Sequence, residues 1–170
     1  MLVFRKATIA DAPDIAELHA TSWQQNYRGA FGDTYLDEEA LDDRMEVWAD
    51  RLTNPAANQY ICVAEHDKSI VGFVCAFFND CCTYGTLVDN LHISSAMKGK
   101  GIGKRLMCVV ADEINLGYAE KGLYLWVLEQ NLGACDFYKA LGGEQKETVT
   151  GHDIGDRPVM KVRYYWPSML

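Results

Sequence analysis

The sequence predicts an α/β (α+β) fold: a mixed, mostly antiparallel sheet of six to seven strands with helices on both faces. Three observations lead there. Apolar runs of strand character and runs of helical spacing follow one another in the order βααβββαβαββ. The chain of 170 residues is 49% hydrophobic, ample for one buried core in a single domain spanning residues 1–170. No internal repeat, low-complexity tract or Pro/Ser-rich linker divides it.

"LVFRKA" reads as the first strand, and "TIADAPDIAELHATSW" as a helix. Asp11 is its expected cap, Pro13 sits in its first turn, and Ile15, Leu18, Ser22 and Trp23 recur at helical spacing. "YRGAFGD" is a glycine-containing loop. A second helix is expected over about 37–52, with Leu41, Met45, Trp48 and Leu52 on one stripe, and "TNPAAN" ends it. "QYICVAEHDKSIVGFVCAFF" contains two β-rich runs joined by "HDKS", an antiparallel hairpin, and a further strand covers about 84–93. After the glycine-rich stretch "KGKGIG", residues Ile102, Leu106, Val109, Val110 and Ile114 line a helix that runs to about residue 116. "GLYLWVLE" is too apolar to alternate and is expected as a central strand covered on both faces. "NLGACDFYKALGG" reads as a short helix capped by Asn131 and stopped by glycine, and "EQKETVTG" and "RPVMKVRYYW" complete the sheet.

Composition excludes several classes. There is no signal-like apolar run at the N-terminus and no stretch of the ~18 apolar residues that span a bilayer, so a cytoplasmic protein without membrane partners is expected. The six cysteines show neither C-x-x-C nor Cys/His metal spacing; core thiols in a reducing compartment and no bound metal are expected. The net charge is −8, but its distribution matters more than its sum. Residues 1–50 carry eleven acids against four bases, whereas the segment from Asn90 to Ala111 has no acid and contains Lys98, Lys100, Lys104 and Arg105. A basic island in an acidic chain suits one anionic ligand at one place rather than a nucleic-acid stripe.

That island coincides with a strand-to-helix elbow. Such an elbow offers unpaired backbone N–H groups and the positive end of a helix dipole, for which phosphate is the natural guest. A Walker A loop is excluded because Arg105 stands where Ser/Thr belongs and Lys98 where the first glycine belongs. The dinucleotide fingerprint is excluded because Gly99, Gly101 and Gly103 are spaced by two and Lys104 replaces the third glycine.

The remaining pattern is [QR]-x-x-G-x-[GA], matched by Gly101 and Gly103 with Lys98 in place of the first residue. "LHISSAMKGKGIGKRLM" resembles the pyrophosphate-binding motif of the GNAT superfamily of N-acetyltransferases. Some 30 residues on, "NLGACDFYKALGG" is similar to that family's second motif, and the resemblance extends over essentially the whole chain. It implies acetyl-CoA as cosubstrate, with backbone groups of Leu91, His92 and Ile93 pairing with the pantetheine arm. It also implies that the N–H groups of Lys98, Gly99, Lys100, Gly101, Ile102, Gly103 and Lys104 hold the pyrophosphate, and that Asn131 contacts the arm.

The implied reaction is direct attack of a primary amine, on a small molecule or a protein, upon the thioester in a ternary complex. The chemistry asks for an acid for the leaving thiolate and a route for the amine's proton. Tyr138 matches the family's tyrosine and is the implied acid, its ordinary pKa near 10 being close to that of the thiol. Asp89 is the candidate base. If "LVDNLHI" alternates regularly, Asp89 shares a face with Leu91 and Ile93 while His92 turns away. Trp23, Tyr27 and Tyr35, with the acids around Asp33, are the candidates for binding the amine. A homodimer is plausible by resemblance. A non-catalytic module that binds acyl-CoA is the alternative function.

Overall fold

The computed structural model describes residues 1–118, 122–152 and 156–168. Among the described residues seven strands form one sheet: β1 (Leu2–Lys6), β2 (Gln59–His66), β3 (Ser69–Cys81), β4 (Gly85–Ile93), β5 (Leu123–Leu128), β6 (Glu144–Gly151) and β7 (Val159–Trp166). Their order is β1-β2-β3-β4-β5-β7-β6, and every neighbouring pair is antiparallel except β4 and β5. Four helices, α1 (Ala12–Asn26), α2 (Ala40–Thr53), α3 (Ile102–Glu113) and α4 (Leu132–Ala140), fall where helical spacing predicts them.

The sheet separates two apolar layers. Ile15, Ala16 and Trp48 of α1 and α2 pack on Ile61, Val63, Phe73 and Cys75. Leu106, Met107 and Val110 of α3 and Cys135 and Tyr138 of α4 pack on the alternate residues, among them Cys62, Val74, Leu125 and Tyr164. Strands buried on both faces explain why β2, β3 and β5 read as continuous apolar runs.

Several local expectations are corrected. Asp11 occupies the capping position of α1 but does not cap it. Its carboxylate turns back to the Thr8 N–H at 2.7 Å and to Arg5 at 2.8 Å. The buried stripe of α1 is Ala12, Ile15, Ala16, His19 and Ala20, with Ser22 left facing a cleft. Leu41 is 40% exposed in the first turn of α2, where Ala40 and, in the preceding π-helical turn Tyr35–Glu39, Leu36 are buried instead. Of the cysteines, Cys62, Cys75 and Cys135 are buried, but Cys81 and Cys108 are half-buried and Cys82 is exposed.

Candidate active site

Among the described residues, β4 and β5 share two register pairs, Thr86 with Leu123 and Leu87 with Tyr124. Beyond them the strands diverge, since β4 continues along β3 and β5 along β7. The resulting wedge is a cleft of about 670 Å³, walled by β4 and β5 and reached by α1, the elbow and α4. A cavity of this size accommodates a small-molecule ligand.

The elbow closes one end. Gly99 and Gly101 have φ of +76° and +78°, the left-handed region open to glycine, and these turns swing the chain from β4 into α3. Gly103 serves a different purpose: a Cβ there would lie 3.1 Å from Phe137 Cζ, so its absence lets α4 approach α3. The first intrahelical bond runs from Arg105 N–H to Gly101 O, at 3.0 Å. The N–H groups of Gly99 through Lys104 have no backbone or side-chain acceptor among the described residues, whereas that of Lys98, also expected in the cradle, donates to Ser95 O at 3.4 Å because it closes the short 3-10 turn before the elbow. Lys98, Lys100, Lys104 and Arg105 are exposed around them. This is a ready cradle for a diphosphate.

The regular alternation expected along "LVDNLHI" fails at Asp89. Cys75 pairs with Asn90 but Ala76 pairs with Val88, so Asp89 is the extra residue of a β-bulge. Val88, Leu91 and Ile93 pack toward the α3 layer, and Asp89 is set apart from them. Its Oδ2 accepts a bond of 2.9 Å from Arg51 Nη1, and the residue lines the cleft. His92 stands on the α1 side: its Nδ1 is 2.7 Å from Ser22 Oγ and its ring lies 4.5 Å from that of His19. Burial first, then the nearby charges of Lys98 and Arg44, push the His92 imidazole down to about 3, so it is neutral at physiological pH. His19 is buried and also held well below the usual range, and Trp48 Nε1 donates to its Nδ1 at 3.0 Å.

Tyr138 of α4 lines the cleft. Burial, followed by the neighbouring Tyr27 and Cys135, pushes its phenol well above the usual value and keeps it protonated. Asn131 caps α4 through its side-chain oxygen, which accepts from Ala134 N–H at 3.2 Å, and also lines the cleft. Of the three aromatic residues proposed for the acceptor, Tyr27 alone lines it. Burial and the charge of Asp89 push that phenol up to about 12. Trp23 is stacked on Phe31 at 4.7 Å with the Arg44 guanidinium 4.3 Å over its ring. Tyr35 donates to Asp43 at 2.5 Å, and Asp33 is ion-paired with Arg28. These groups build the α1–α2 corner beside the cleft.

Sequence reasoning missed four residues that the fold brings to the cleft or its edge. Ser22 and Asn26 project from α1 one turn apart, Trp126 from β5, and Arg51 reaches Asp89 from α2. The i, i+4 polar pair Ser22 and Asn26, followed by Tyr27, was a legible signal for a polar cleft-facing edge; nothing local marked Arg51. Among the described residues no group of three His, Cys, Asp or Glu side chains gathers as a metal site, and no helix is long and apolar enough to cross a membrane.

The fold is shared with solved structures. The PaiA N-acetyltransferase of Thermoplasma acidophilum, in complex with coenzyme A, superposes with a TM-score of 0.76 at 19% identity, over 98% of this chain and 99% of that one. The ribosomal-protein-alanine N-acetyltransferase of Brucella melitensis gives 0.72 at 18% over 99% of each chain. YncA of Salmonella typhimurium, with its cofactor acetyl-CoA, gives 0.70 at 18% over 98% and 94%. No curated protein matches the chain. The model of the Acetyltransferase (GNAT) family matches residues 12–142. With most of its length so matched, and with the split β4–β5 sheet and glycine elbow in place, the chain belongs to the GNAT family of acetyltransferases.

Proposed function

We propose that the protein transfers the acetyl group of acetyl-CoA to a primary amine, by direct attack within a ternary complex. One observation carries this reading. The same cleft is lined by unpaired backbone N–H groups and lysines of the elbow and by a protonated phenol and a carboxylate. The cofactor supplies an acetyl thioester; every other task falls to the chain.

The N–H groups of Gly99 through Lys104 fit the pyrophosphate, and Lys100, Lys104 or Arg105 would meet the remaining phosphate. The diverging backbone of Leu91, His92 and Ile93 offers strand-like pairing to the pantetheine arm, and the Asn131 side chain faces it from the other wall. Tyr138 donates its proton to the departing thiolate, a role suited to a phenol kept protonated across the physiological range. Asp89 and Tyr27 receive the incoming ammonium, and Asp89 accepts its proton, directly or through one water, so that the neutral amine attacks the thioester.

The first test is the melting temperature with acetyl-CoA, ATP and NAD in parallel. Saturation near 100 times Kd adds about 2.7 kcal/mol, a shift of several degrees. Stabilisation by ATP or NAD in preference to acetyl-CoA would overturn the cofactor assignment. The second is Tyr138→Phe, expected to lower the transfer rate about 100-fold without weakening acetyl-CoA binding. Unchanged transfer would remove Tyr138 as the acid, and no transfer by the wild type to any amine would favour a binding module.

A further inference from the structure

The β-bulge in β4 leaves Asp89 outside the ladder, free of the register that fixes its neighbours. One side chain replaces that restraint. Arg51 Nη1 donates to Asp89 Oδ2 and to Asn90 Oδ1, each at 2.9 Å, and lies 3.8 Å from the sulfur of Cys75, the residue that pairs with Asn90 beside the bulge. Its guanidinium is itself held: it lies 5.1 Å over the ring of Trp48 and 5.6 Å over that of Phe77, and the Arg51 carbonyl accepts from Gln59 Nε2 at 2.8 Å. Asp89 and Asn90 line the cleft, whereas Arg51 stands behind them. Asp89 Oδ1 has no partner among the described residues.

We infer that Arg51 is a positioning residue of the acceptor site: it clamps Asp89 by one carboxylate oxygen and leaves the other to the incoming amine. This inference rests on the amine-acetylation reading above. The bulge frees the aspartate to face the cleft, and the arginine removes the freedom the bulge created. Among the described residues it makes no hydrogen bond to the elbow or to Tyr138, so its action is expected at the acceptor and not at the cofactor.

The test is a double-mutant cycle on acetyl transfer, read as thiol release with tyramine, spermidine and an N-terminally blocked lysine peptide as probes. Arg51→Met is expected to lower kcat/KM for the accepted amine about tenfold or more while the acetyl-CoA KM stays within about twofold. In an Asp89→Asn background the same change should add little, because both act through one contact. Arg51→Lys, which restores a donor and a charge, should recover most of the loss. Should Arg51→Met fail to fold, Arg51→Gln carries the same cycle. Additive losses, an equal rise in the acetyl-CoA KM, or no recovery by lysine would each reduce Arg51 to a packing role and overturn the inference. Stabilisation by acetyl-CoA without turnover of any probe also overturns it while leaving the cofactor reading standing; absence of that stabilisation overturns the reading itself.

Discussion

Gly101 and Gly103 stand two residues apart in the elbow, yet the structure predicts that alanine at each will behave differently. At Gly101 φ is +78° and no atom lies within 4 Å of where a Cβ would stand, so alanine meets backbone strain and nothing else. The left-handed conformation costs an L-residue about 1–2 kcal/mol, offset by about 0.4–1 kcal/mol from a less flexible unfolded chain. The net loss is about 1 kcal/mol, or about 2–4 °C in Tm at this chain length. Gly103 lies inside α3, where alanine gains about 1 kcal/mol of helix propensity. Its Cβ would press on Phe137 Cζ at 3.1 Å, and a ring that yields by a few tenths of an ångström leaves the change close to neutral. Asparagine tolerates the left-handed region, so Gly101→Asn should recover much of what Gly101→Ala loses. Urea denaturation and thermal melts of the three variants, each with and without acetyl-CoA, give the ranking. If Gly103→Ala proves the more damaging, or asparagine no better than alanine at position 101, then helix spacing and not backbone sign governs the elbow.

A negative charge at the same place tests the cradle: Gly101→Glu should abolish stabilisation by acetyl-CoA, and retained affinity would refute the pyrophosphate assignment. Arg5 and the Thr8 N–H hold the buried Asp11 carboxyl down at about 2. Because this folded value lies below the ordinary carboxylate range, its stabilisation is complete above about pH 4 and is lost as the pH falls toward 2. Wild type should therefore exceed Asp11→Asn by about 1–2 kcal/mol at neutral pH, after allowance for the partial exposure of Arg5, and the gap should close through that acid window. A gap that persists at pH 2 would rule the ion pair out as its source. Asn131→Ala removes the bond to Ala134 N–H and should cost about 1 kcal/mol of stability. A loss of acetyl-CoA affinity beyond the loss of stability would assign the side chain its second role, and an unchanged affinity would confine it to the cap.

The features legible in the sequence are those specified by neighbours in the chain. The elbow could be read because glycine spacing and adjacent lysines are local, and α4 because its cap, aromatic pair and glycine stop lie within thirteen residues. The orientation of Asp89 could not be read. It depends on how many residues β3 sets opposite β4, and an assumption of strict alternation cannot anticipate a bulge. Arg51 was hidden for a related reason, since its partners lie 38 and 39 residues away. His19 has the look of a surface helix histidine until Trp48, 29 residues on, is found donating to it. Leu41 was misplaced because a stripe gives direction but not what it meets: Met45, Trp48 and Leu52 pack on the α1 side of the sheet, whereas Leu41 lies in the first turn of α2, where Ala40 and the preceding Leu36 are buried instead.

The two-pair seam between β4 and β5 bears on how the molecule breathes. On one side of it, β1 to β4 form a ladder continuous in sequence neighbours, and on the other β5, β7 and β6 form a second. Among the described residues few backbone bonds cross between them, and the ladders are joined chiefly through the apolar layer beneath α3 and α4, so slow-exchanging amides should fall into two groups of different protection, with the boundary running up the cleft. A ligand lying between the strands bridges both ladders at once and should merge the two groups into one. Occupancy of the cleft is then written into the cooperativity of the whole sheet, and amide exchange far from any contact would report it.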